Sequence, residues 1–127
     1  MIRVKAVVKG EEDTSPFVAN FVYGDRSDEQ VFVNSVGMIK ERLDRGFKLN
    51  VNEVLVLYCA FVVSQLRDRK STAEIEKDGM QLLVPENAMI GVAETLQEIV
   101  FDAAVDKMPN KRLLFRQPLK SHRIKMA

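Results

Sequence analysis

The sequence predicts an α+β fold, a small helical bundle closed by a C-terminal antiparallel β-hairpin, with a second β-hairpin ahead of it. Three observations lead there. Residues 2–9 alternate, with Ile2, Val4, Ala6 and Val8 on one face and Arg3, Lys5, Val7 and Lys9 on the other. Three times a Ser or Asn stands three residues ahead of a Glu or Gln at the head of a helical pattern. Near the end, two runs rich in β-branched and large apolar residues flank a turn-rich connector.

Taken in order, the first strand is followed by a polar loop, Gly10-Glu11-Glu12-Asp13-Thr14-Ser15-Pro16, and by a second strand over residues 17–23. Gly24-Asp25-Arg26 interrupts it. Ser27-Asp28-Glu29-Gln30 is a capping box that opens the first helix, with Val31, Phe32, Ser35, Val36, Ile39 and Leu43 near one face. Arg45-Gly46 ends that helix, Gly46 being suited to the left-handed position after it. Asn50, with Glu53 three residues on, opens a second helix running to Leu66. That helix is apolar on nearly every side, so it is the central, most covered one.

Ser71-Thr72-Ala73-Glu74 caps a third helix that ends at Asp78-Gly79. Pro85 is preorganised for the first helical position, so a short helix is expected from there to Met89 or Ile90, stopping near Gly91. Residues 92–98 fit neither pattern cleanly. Residues 99–105 and 112–117 read as strands joined by residues 106–111, and Pro118 ends the second. The expected organisation is one domain with a hairpin extension (1–26), a core (27–119) and a basic tail (120–127).

Composition sets the class. Hydrophobic residues make up 46% and charged residues 29%, the balance of a soluble globular chain able to bury a core without disulfides or metals. The one cysteine, Cys59, sits in an apolar run, which fits a reducing, cytoplasmic setting. The first residues form neither a secretory leader nor a membrane span. The net charge of +1 conceals an asymmetry: the segment from Lys107 onward carries seven bases and no acid, while residues 1–106 are net −6. A basic block of this kind suits nucleic acid or an acidic partner surface, and it also fits a solvated tail.

Catalytic patterns are missing from the sequence. One histidine, His122, and one cysteine in unrelated segments make neither a metal site nor a Cys–His dyad. Cys59 reads as a small buried hydrophobe. Glu11, Glu12 and Asp13 belong to a turn, Asp28 and Glu29 to the first turn of a helix, where its dipole favours them. Glu94, Glu98 and Asp102 are able to share a face, but no acid–base partner lies near in sequence. The glycines are scattered and form no phosphate loop.

Several segments carry a family resemblance. Arg45-Gly46-Phe47-Lys48-Leu49-Asn50 is similar to Arg-Gly-Leu-Lys-Leu-Asn of the urease gamma subunit. In the same order follow Lys70-Ser71-Thr72-Ala73-Glu74-Ile75, then Gly79 with Leu82 and Leu83, then Met89, Gly91, Val92 and Glu94, and finally Gln117-Pro118-Leu119. The resemblance runs from about Asp28 to Leu119. It departs at Asp78, where the family has a tyrosine, at Ala93-Glu94, where it has Pro-Glu, and at Pro109-Asn110, where it favours Asp-Gly. The N-terminal hairpin and the basic tail are additions.

The resemblance implies a non-catalytic structural or assembly subunit that packs against larger subunits of a urea-hydrolysing complex. It also implies no cofactor in this chain, the nickel and catalytic groups belonging to a partner subunit. The additions leave open a stand-alone interaction module or homo-oligomer, self-associating by strand pairing if the hairpin leaves an edge. They also leave open an RNA- or ribosome-associated protein using the basic segment, with Phe115 as a stacking group. The residues expected at an interaction surface are Arg45, Lys48, Asn50, Lys111, Arg112, Phe115 and Arg116.

Overall fold

A computed structural model describes residues 2–10, 17–23, 26–105 and 109–119. The strands are β1 (Ile2–Lys9), β2 (Phe17–Tyr23), β3 (Glu98–Val105) and β4 (Lys111–Arg116). The helices are α1 (Arg26–Asp44), α2 (Val51–Arg67), α3 (Thr72–Gly79) and α4 (Val92–Thr95), with a 3-10 turn at Pro85–Asn87. The fold is α+β, as the sequence predicts. The two hairpins, expected as separate, share a single antiparallel sheet in the order β2-β1-β3-β4. β1 pairs with β3 along its whole length, from Ile2 against Val105 to Lys9 against Glu98.

Period-two alternation gives this sheet one apolar face. Val4, Ala6 and Val8 of β1 are buried with Ile99, Phe101 and Ala103 of β3 and with Leu113 and Phe115 of β4. The helices supply the other half of the core, with α2 at its centre. Val54, Leu55, Leu57, Tyr58, Cys59, Val62, Val63 and Leu66 are all buried, as an all-round apolar helix requires. The opposite face is mixed: Arg3, Lys5, Lys9, Arg112 and Arg116 are exposed on it around a half-buried row of Val7, Val100 and Leu114.

The chain corrects some expected boundaries. α1 begins at Arg26, so Ser27 lies inside the helix rather than at its cap. The helix expected from Pro85 to Met89 or Ile90 is only the 3-10 turn, because Ala88 turns extended and forms a parallel bridge with Leu49. The ambiguous stretch after Gly91 resolves into one turn, α4, and β3 begins at Glu98. The acidic loop of residues 11–13, His122 and the tail 120–127 lie outside the described residues.

Candidate interaction surface

The corner between α1 and α2 is built by the segment Arg45-Gly46-Phe47-Lys48-Leu49-Asn50. Gly46 has φ of +86°, and two backbone bonds close the end of α1 around it. The Gly46 N–H donates to the Leu43 carbonyl at 2.9 Å and the Phe47 N–H to the Arg42 carbonyl at 3.0 Å, the Schellman arrangement. The Phe47 ring lies 5.8 Å below the Arg42 guanidinium. Arg42 also pairs with Glu53 at the start of α2. Asn50 caps α2 reciprocally: its Oδ1 accepts from the Glu53 N–H at 2.9 Å, and its own N–H donates to Glu53 Oε1 at 3.0 Å.

A second loop docks on this corner. The Leu49 N–H donates to the Asn87 carbonyl at 2.7 Å, and the Met89 N–H donates to the Leu49 carbonyl at 2.9 Å. Lys48 Nζ reaches the Glu86 carbonyl at 2.9 Å. Leu49 and Ala88 turn inward and are buried. Their neighbours stay out: Phe47 is 55% exposed, Met89 42%, and Ile90 is fully exposed, with Val84 exposed in the same loop. Exposed large apolar side chains in two hydrogen-bonded loops mark a contact surface better than scattered ones do. Met89 and Ile90 are not among the contact residues expected from the sequence, where Met89 figures only in the family motif and both only as the end of a short helix. Their signal is two large apolar residues beside Gly91, off any helical or strand periodicity.

The predicted contact residues separate into groups. Arg45, Lys48 and Asn50 lie at the α1–α2 corner, Arg45 paired with Glu41 at 2.9 Å. Lys111 is half-buried at the start of β4. Arg112 and Arg116 lie on the open face of the sheet, Arg112 Nε 2.8 Å from Asp102 and Arg116 Nε 3.5 Å from Glu98. The hydrogen bond and charge of Asp102 push the already high pKa of Arg112 higher still. Phe115 is not a surface residue. It is fully buried against Tyr58 and Phe101, at ring centroid distances of 5.2 and 5.8 Å. The strand's period of two turns it away from its basic neighbours, so it is not available to stack on a base.

Two open clefts lie at the sheet margins. One, of about 450 Å³, is lined by residues including Asp102, Asn110, Lys111 and Arg112. The other, of about 240 Å³, includes Lys9, Glu98, Arg116 and Gln117. Their carboxylates are held in ion pairs, Asp102 with Arg112 and Glu98 with Arg116. Among the described residues, no three His, Cys, Asp or Glu side chains come together as a metal site. Cys59 is buried. No described helix is long and apolar enough to cross a membrane.

Residues 23–110 match the family described as urease, gamma subunit. A urease subunit gamma from Halalkalibacterium halodurans is 40% identical over 76 residues, which is 59% of this chain and 76% of that protein. Another, from Saccharopolyspora erythraea, is 36% identical over 66 residues, 52% of this chain and 66% of that protein. The matched region holds α1 to α4, β3 and both loops of the apolar corner. β1 and nearly all of β2 precede it.

Proposed function

The chain belongs to the urease gamma-subunit family, and on that premise we propose that it is a non-catalytic assembly subunit of a urea-hydrolysing complex. Its contact with a larger subunit is made through the apolar corner formed by Phe47, Met89 and Ile90. The observation that carries this reading is the exposure of these side chains inside the region the family shares. Among the described residues the donor set does not fit a nickel centre; no reaction step is assigned to this chain, and in this reading hydrolysis takes place on the partner. The polar elements of the corner, Asn50 and Lys48, hold its shape, while the apolar ones supply the area removed from water on assembly.

Co-expression of the full chain with the large urease subunit from the same source tests this. The two should co-purify, and native mass spectrometry should report a defined stoichiometry. Ile90→Asp should abolish co-purification while leaving the melting curve of the isolated chain unchanged, because Ile90 is fully exposed. Urea hydrolysis by the isolated chain, or failure of the wild-type pair to associate, would overturn the proposal.

A further inference from the structure

The two edges of the sheet are treated differently. β4 is shielded: α3 packs beside it, and Glu76 Oε2 accepts the Leu114 N–H at 2.8 Å. β4 also carries Lys111, Arg112 and Arg116, charges of the kind that keep an edge strand from pairing. β2 is the terminal strand on the other side. Its seven residues, Phe17-Val18-Ala19-Asn20-Phe21-Val22-Tyr23, include no charge, no proline and no glycine. A terminal strand of this composition is a ready template for another strand.

The β2 sequence is close to self-complementary. Antiparallel pairing about Asn20 sets Phe17 against Tyr23, Val18 against Val22, Ala19 against Phe21, and Asn20 against its own copy. Aromatic meets aromatic, valine meets valine, and no like charges oppose each other, the combination that favours cross-strand pairs. We propose that β2 pairs antiparallel with β2 of a second copy of this chain, on a two-fold axis through Asn20, joining two four-stranded sheets into one of eight strands. The interface is isologous and therefore closes at the dimer. It lies on the hairpin that precedes nearly all of the family match and uses none of the residues of the apolar corner, so it does not rest on the function proposed above.

Sedimentation velocity of the isolated full chain over a concentration series tests the proposal. A monomer–dimer equilibrium is expected. Asn20→Asp should weaken it roughly fivefold or more by placing like charges across the axis. Within one copy position 20 is in register with Lys5, an exposed cation, so a carboxylate there meets no like charge across the pair. Mixing the Asn20→Asp and Asn20→Lys proteins should restore dimers as the mixed pair. Oxidised Asn20→Cys should form an intermolecular disulfide, Cys59 being buried. A wild-type chain monomeric throughout the series, an unchanged dissociation constant in folded Asn20→Asp, or no cross-link at position 20 would overturn the proposal.

Discussion

The Tyr58 hydroxyl donates to the Gly79 carbonyl at 2.7 Å, inside the core and beside the Phe115 ring. Burial raises the pKa of this phenol above its ordinary value. The phenol is therefore protonated in the folded chain at a pH where it ionises in the unfolded chain. Its contribution to stability is complete below about pH 10, the unfolded value, and is lost as pH climbs beyond it. Tyr58→Phe should cost about 1–2 kcal/mol at neutral pH, because the Gly79 carbonyl loses its donor, and should soften the alkaline fall in stability. Denaturant titrations of both proteins between neutral and strongly alkaline pH read both effects. Gly79 itself is required by space: a Cβ built there meets Phe115 Cε1 at 2.2 Å. Gly79→Ala should destabilise by about 1–3 kcal/mol as the ring is displaced, visible as a lower Tm.

At the scale of elements, helix ends are where this chain spends its specific residues. α2 closes as α1 does, with the Arg69 N–H donating to the Leu66 carbonyl and the Lys70 N–H to the Gln65 carbonyl, both at 3.1 Å. Here, however, the left-handed residue is Arg69, at φ 57°. An arginine in that region carries backbone strain that glycine does not. Arg69→Gly should therefore raise stability by about 0.5–1 kcal/mol, whereas Asn50→Ala should lower it by about 1 kcal/mol through loss of the α2 cap. Chemical denaturation of the two variants checks the opposite signs.

These helix ends were legible in the sequence because each is fixed within a few residues: Asn50 with Glu53, Ser71 with Glu74, and Gly46 after Arg45. β1 was legible from its alternation, and the other strands from runs of β-branched, aromatic and large apolar residues bounded by turn signals. What stayed hidden is set by residues far apart in the chain. Nothing local to residues 2–9 names residues 98–105 as their partner, and nothing near Glu76 points to the amide of Leu114. Phe115 lay between the two cases: read beside Arg112 and Arg116 it resembles a surface group, while read by the period of its strand it falls with Leu113 in the core. The corner residues of the contact surface were visible as a motif, but the docking of the loop that carries Met89 and Ile90 on that corner is set by the bridge between Leu49 and Ala88.

For the molecule as a whole, β1 of the N-terminal hairpin is part of the core rather than an attachment to it. β1 buries Val4 and Val8 and covers one edge of β3. Each valine contributes about 1.5–3 kcal/mol on burial, against a total stability of about 5–15 kcal/mol for a domain. A chain lacking residues 1–23 should therefore lose its cooperative thermal transition and much of its solubility, even though it retains nearly all of the region shared with the family. Calorimetry and a sedimentation assay of the truncated chain check this.

The pairing of β1 with β3 also sets how late in synthesis the sheet can close. The first hairpin leaves the ribosome long before its partner strand has been translated, since Lys9 must find Glu98. Throughout that interval Val4, Ala6 and Val8 have no β3 to pack beside, and contacts this distant in sequence form slowly. The apolar face of the nascent β1 therefore stays without its partner until residues 98–105 have been translated, the interval in which unpaired apolar strands are prone to misassociate.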